Sequence, residues 1–271
     1  MYGTILSGMT TAMHALGVIS NNVANSGSTA FQKSDTTFAD MFSVGTPDSS
    51  AGNSPGLGSM VESTRRSQKQ GNLVERDGVL NLALSGAGMF PVARPDDTGG
   101  PGSSLAYTRV GEFSLDADGY IRGNDGSFLL GVSGDGGLAA DTSALTALQI
   151  LPKEGDAALT SLSIGRDGLV SASYGGETVK KIGQINVATF PNPMGLRNVS
   201  QSRFEVTGES GPVVLGLASS QGFGSINSGK IETSNVDLTT ELTIMLRAQQ
   251  QFSGSAKLLQ TNADMLEKLT R

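Results

Sequence analysis

The stretch "SNVDLTTELTIMLRAQQQFSGSAKLLQTNADMLEKLTR" (residues 234–271) carries an apolar stripe with helical spacing. Leu238, Leu242, Met245, Gln249, Phe252, Ala256, Leu259, Ala263 and Leu266 follow one another in steps of four and three, with Gln249 the single polar member. Ile244, Ala248, Leu258, Met265 and Leu269 widen the face. Ser234 or Asn235 can cap the N-terminus, and Asp237 lies where the helix dipole favours negative charge. A helix this long with an unbroken greasy stripe needs a partner surface, since an isolated helix is marginal in water.

The other end of the chain offers a matching one. Tyr2, Leu6, Met9, Met13, Leu16 and Val23 form a heptad seam with Ser20 as its interruption, and Ile5, Ala12 and Ile19 repeat every seven residues beside it. The spacing predicts a helix from about residue 3 to residue 24, stopped by the turn residues "NSGS" at 25–28. A single pair of terminal helices sits close to energetic balance, so contacts with further copies are expected to complete it.

Between the ends the pattern changes. Short alternating runs such as "LNLAL", "SFLLGV" and "IGQINVATF" are separated by glycine-containing turns. Asp118–Gly119, Asp125–Gly126 and Asp167–Gly168 are hairpin signals. The expected fold class is α+β, with N- and C-terminal helices pairing as a coiled coil and a mainly antiparallel β domain inserted between them. The expected divisions are residues 1–42 for the first helix and a following turn, 43–56 for a Gly/Ser/Pro-rich flexible loop, 57–229 for the β domain and 230–271 for the last helix.

Composition narrows the function classes. The 271 residues carry a net charge of −6 and no cysteine, which argues against nucleic-acid binding and excludes disulfide or thiolate chemistry. No apolar run is long enough for a membrane helix, and the N-terminus lacks the basic residues of a cleavable leader. His14 is the single histidine and has no nucleophile placed around it. "DADGYIRGND" lacks the carboxylate spacing and closing Glu of a calcium loop and reads as a hairpin turn. No catalytic, cofactor-binding or metal-ligating residues, and no cofactor, are expected.

Four motifs then resemble a known family. "SNNVANSGSTAFQKSDTTFADMF" (20–42) is similar to the N-terminal signature of bacterial flagellar rod and hook axial proteins, N-N-hydrophobic-A-N-x-x-T-x-G-F-K. Asn21, Asn22, Val23, Ala24, Asn25 and Phe31 match it. Ser28, Ala30 and Gln32 replace its Thr, Gly and Lys, and Ala30 is expected to strain a left-handed turn. "NLALSGAGMFPV" (81–92), "YTRVGEFSLDADGYIRGNDGSFLLG" (107–131) and "NSGKIETSNVDLTTELTIML" (227–246) resemble the family's later motifs, in its order.

The resemblance implies a structural protein rather than an enzyme. It implies a subunit of the flagellar basal-body rod, helically polymerised into a hollow axial tube that transmits torque, with residues 163–211 most like the distal rod protein; a short hook protein is the alternative, and a secreted binding module or adhesin the reading from another class. The implied partners are identical subunits, adjacent rod, hook or junction proteins and the flagellar type III export apparatus, with export independent of a cleaved signal and no nucleic acid or membrane insertion. The implied location is the periplasm-spanning rod of the basal body, or the extracellular hook. The expected assembly interface comprises Leu6, Met9, Met13, Leu16, Val23, Asn25, Phe31, Leu238, Leu242, Met245, Phe252, Leu259 and Leu266.

Overall fold

In a computed structural model the described residues are 2–42, 56–96, 100–134, 137–139, 141–154, 157–175 and 178–270. The loop expected over 43–56 therefore falls, except for Gly56, outside the described residues. The architecture is α+β, with one long helix at each end and antiparallel strands between. The chain divides into two compact units, one of Met1–Gly27, Gln32–Ser67 and Asn235–Arg271 and the other of Ser28–Phe31 and Gln68–Ser234.

The first unit contains helix α1 (Tyr2–Ala24), strands β1 (Ser34–Phe42) and β2 (Gly56–Arg66), and helix α2 (Leu238–Thr270). β1 and β2 form an isolated antiparallel ribbon, with Ser34 opposite Arg66 and Met41 opposite Gly58, bulged between Thr37 and Phe38. The sequence division at 56/57 thus differs from the compact-unit boundary at Ser67/Gln68. Pairing with β1 draws the whole of β2 into the helical unit, and pairing across a loop is a long-range property that composition does not report. The cap is Asp237 and not the expected Ser234 or Asn235, because α2 begins only at Leu238: the Asp237 carboxylate accepts from the backbone N–H of Thr239 at 3.0 Å and Thr240 at 3.3 Å. Those bonds, led by the one from Thr240, hold the Asp237 carboxyl below its ordinary range.

The second unit is built on a 12-stranded antiparallel sheet. Its path runs from Lys153–Glu154 through Ala157–Ile164, Leu169–Tyr174 and Thr178–Gln184 to Phe128–Ser133, then Phe90–Pro95, Pro101–Thr108, Arg203–Glu205 and Arg197–Ser200. All three Asp–Gly pairs turn between consecutive strands, and Gly119, Gly126 and Gly168 take φ of 81°, 78° and 85°. The core gathers the inward residues of the alternating runs, including Leu82, Leu84, Phe90, Val92, Ile121, Leu129, Leu148, Ile185, Val187 and Ile226. Phe90 and Phe113 meet edge to face at 5.7 Å, the arrangement favoured by ring quadrupoles.

Ala30 adopts φ of 52°, the left-handed conformation expected at the position where the resembling signature has glycine. It is buried and its N–H donates to Glu232 O at 2.9 Å, so the turn is held by a hydrogen bond at the expense of a clash between Cβ and the next carbonyl. Ala30→Gly is expected to raise the stability of this unit by about 0.5–1 kcal/mol, the relief of strain exceeding the added freedom of the unfolded chain. A rise in the denaturant midpoint at unchanged slope is the measurement; a fall would mean that the Ala30 methyl contributes more by packing than its backbone loses by strain.

Candidate assembly interface

The two helices of the first unit run antiparallel. At one end Asn22 Nδ2 donates to Glu241 Oε2 at 3.2 Å. At the other, a Cβ placed on Gly8 would lie 3.8 Å from Ser255 Oγ. The covered positions of α1 include Ile5, Gly8, Ala12, Ala15, Ile19 and Asn22, stepping by three and four. Those of α2 include Glu241, Met245, Ala248, Phe252, Ser255, Leu259 and Asn262, with the same alternation. The line of α1 that faces inward has small residues at its centre, Gly8, Ala12 and Ala15, and most of the larger side chains of the seam, Met245, Phe252 and Leu259, come from α2. A neighbouring face of α1 meets the ribbon, where Thr11 Oγ1 and Ser59 Oγ are 3.3 Å apart and Ser59 N donates to Ser7 Oγ.

This leaves several large apolar side chains exposed: Leu6, Met13 and Leu242 lie off the covered lines, while Leu238 and Leu266 continue the covered line of α2 at its two ends. Leu6, Met13, Leu238, Leu242 and Leu266 are 43–58% exposed. Met9, Leu16, Val23, Met245, Phe252 and Leu259 are half-buried, the last three on the covered line of α2. Tyr2, Leu246, Leu258 and Met265 extend the exposed apolar surface, and Phe38, Met41, Leu57 and Met60 add to it from the ribbon. Asn25 closes α1, its backbone N–H donating to Asn21 O at 3.1 Å and its Nδ2 to the same carbonyl at 2.9 Å. Phe31 belongs to the second unit. Only part of the expected set is thus brought into one intrachain seam. On α1 the expected Leu6, Met9, Met13, Leu16 and Val23 flank a covered line that includes Gly8, Ala12 and Ala15, whereas on α2 the expected Met245, Phe252 and Leu259 lie on the covered line itself.

Four residues outside that set organise the helix junction. Asn22, Glu241 and Asn235 are buried or half-buried, and Lys33 lies beside them. Asn22 Oδ1 accepts from Ser34 N–H at 3.0 Å, while its Nδ2 also donates to Ser34 O at 2.9 Å. Lys33 Nζ reaches Glu241 Oε1 at 3.2 Å and Asp35 Oδ1 at 3.0 Å, and its backbone N–H donates to Asn235 Oδ1 at 2.8 Å. Burial opposes the Lys33 charge, but the hydrogen bonds and charges of Asp35 and Glu241 outweigh it and hold the ammonium above its ordinary range. The available signal was a lone carboxylate, Glu241, in heptad register with Ala248 and Phe252. Among the described residues no group of three or more His, Cys, Asp or Glu is placed to hold a metal, and no helix is long and apolar enough to cross a membrane.

The second unit holds a buried ion pair. Arg109 Nε donates to Glu232 Oε2 at 2.9 Å, with the two side chains 8% and 2% exposed. The remaining guanidinium nitrogens donate to Gly88 O at 3.1 Å and Gly86 O at 3.2 Å, and Glu232 Oε1 accepts from Gly71 N–H at 3.0 Å. With Glu232 O bonded to Ala30 N–H, parts of all four motifs converge on this pair.

Comparison with known proteins agrees with these features. Residues 83–172 match the flagellar hook protein FlgE/F/G D1 domain, and residues 227–271 match the C-terminal domain of flagellar basal body rod FlgEFG proteins. The chain is 32% identical to the flagellar basal-body rod protein FlgG of Bacillus subtilis over 97% of its own length and 95% of the relative's. It is 31% identical to FlgG of Buchnera aphidicola from Schizaphis graminum over 94% and 93%. The similarity to the flagellar hook protein FlgE of Caulobacter vibrioides, 38% identity, covers 41% of this chain and 19% of that protein. Likeness to the rod proteins spans both units and both terminal helices, whereas likeness to the hook protein is partial, and the chain belongs to the FlgG family of flagellar basal-body rod proteins.

Proposed function

We propose that this chain is a structural subunit of the flagellar basal-body rod that polymerises helically with identical copies into a hollow axial tube. In this reading α1 and α2 pair as a short coiled coil, and their outward apolar stripes are covered by the helices of neighbouring copies. The observation that carries it is the surface of Leu6, Met13, Leu238, Leu242 and Leu266, 43–58% exposed on a chain of this family. Exposed apolar side chains in such number mark an interface, and helices from identical copies would supply a complementary surface. The reading extends to torque passing along the tube, passage through the type III export apparatus and contact with adjacent rod, hook or junction proteins, and membership in a rod-protein family supports it. Full-length similarity to rod proteins favours the rod over the hook.

The test is charge on the outward stripe. Leu6→Asp, Met13→Asp and Leu242→Asp change exposed positions, so each is expected to alter monomer stability by no more than about 0.5 kcal/mol. In the polymer each would bury an unpaired carboxylate, and the triple variant is expected to raise the critical concentration for polymerisation at least about a hundredfold. Sedimentation of the purified protein and swimming of a complemented cell are the readouts. Normal polymer and normal swimming would overturn the proposed interface.

A further inference from the structure

We infer that the Asn22–Glu241 contact, braced by Lys33, is the device that selects the register of α1 against α2. The heptad line that brings Gly8 to Ser255 would accept another alignment: a shift of one heptad places Gly8 opposite Asn262, again a small residue against a polar one. α2 has 33 residues and α1 has 23, so the longer helix has length for such a shift. The shift would move the outward stripe by about 10 Å along the axis, at 1.5 Å per residue.

What distinguishes the alignments is polar. In the observed register Asn22 Nδ2 reaches Glu241 Oε2 at 3.2 Å, and Lys33 Nζ reaches the other carboxylate oxygen at 3.2 Å. Asn22 cannot turn to follow a displaced partner, because Ser34 holds both ends of its carboxamide at 2.9 and 3.0 Å. In the shifted alignment Asn22 faces Ala248, and Glu241 loses its buried partner. A single buried polar contact that is satisfied in one alignment alone is a known way of specifying helix register. Small-residue packing by itself discriminates weakly between heptads. The inference concerns one chain and does not depend on how copies assemble.

The chain has no cysteine, so introduced pairs report cleanly. Two full-length reporters are required, Gly8→Cys with Ser255→Cys for the observed register and Gly8→Cys with Asn262→Cys for the shifted one. Each is oxidised at low protein concentration, and intrachain cross-linking is quantified by peptide mass spectrometry. In the otherwise unchanged chain the shifted pair is expected to form at under about a hundredth of the observed pair, because misalignment strands buried polar groups. Adding Asn22→Leu and Glu241→Leu together is expected to raise the shifted fraction at least about tenfold. Glu241→Gln, which keeps an acceptor for Asn22, is expected to retain the observed register. The inference is overturned if the double leucine variant stays in the observed register alone, or if neither pair cross-links in it, which would make the network a clamp rather than a selector. A Glu241→Gln chain that shifts as readily as the leucine variant would also overturn it.

Discussion

Replacing Arg109 with Met is expected to cost the second unit about 3–5 kcal/mol. The substitution keeps much of the side-chain volume but leaves the Glu232 carboxylate buried without its counter-charge. It also strips donors from Gly86 O and Gly88 O, the carbonyls that Arg109 bonds at 3.2 and 3.1 Å. Burial decides the magnitude. Arg76 and Glu112 also form an ion pair, but the Arg76 side chain is 56% exposed, and Arg76→Ala should cost no more than about 1 kcal/mol. Denaturant unfolding followed by tyrosine fluorescence separates the two expectations. The double variant Arg109→Met with Glu232→Leu should recover part of the loss, since it removes the stranded charge. It should not recover all of it, because Gly71 N–H, which donates to Glu232 at 3.0 Å, is then unpaired as well. A cost below 1 kcal/mol for Arg109→Met would show that water reaches the site and that the pair is not the tie its burial indicates.

That tie also marks where sequence reasoning stopped. Each of the four motifs is visible as a local pattern: Phe90, Tyr107 and Arg109 can be picked out, and the Asp–Gly turns announce their hairpins. Their convergence is not visible. Leu73–Glu75 pairs with Lys230–Glu232 across most of the chain, and Leu82–Ser85 pairs with Ser225–Ser228. No periodicity reports a partner that distant, because alternation states which face of a strand is buried and not against what. The strained turn at Ala30 was legible for the opposite reason: left-handed backbone is a property of one residue, and a non-glycine at a glycine position states the conflict directly.

The helices show a different limit. Their existence followed from the 3.6-residue period, and α1 ends at Ala24 as its turn residues indicated. Which line of residues meets the partner helix did not follow. Weighting by apolar size selects Leu6, Met13 and Leu242. The observed inner line includes Gly8, Ala12 and Ala15 from α1, and on α2 it interleaves the selected Met245, Phe252 and Leu259 with Glu241, Ala248 and Ser255. Two adjacent lines on one helix can both carry heptads. In the proposed assembly the greasier line would meet neighbouring copies, which supply a second greasy line.

Removing residues 242–271 is expected to abolish polymerisation and swimming while leaving the second unit folded. Its core, from Leu82 through Ile226, is drawn entirely from its own residues, and Arg109–Glu232 is intact in the shortened chain. Its unfolding free energy should therefore stay within about 1 kcal/mol of the full-length value. The helical signal should fall by more than the deleted residues contribute. α1 loses the cover over Ala12 and Ile19, now 2% and 6% exposed, and a helix of its length is marginal alone. Far-ultraviolet circular dichroism measures that excess loss, and the ribbon of β1 and β2 should loosen with it, since a two-stranded ribbon is marginal without a packing partner. If the shortened chain kept α1 helical and still assembled, the interface would reside in the second unit, and the outward stripes of both helices would be surface without a partner. If instead the second unit unfolded with the deletion, α2 would be part of its stability, and the two compact units would not be independent in energy.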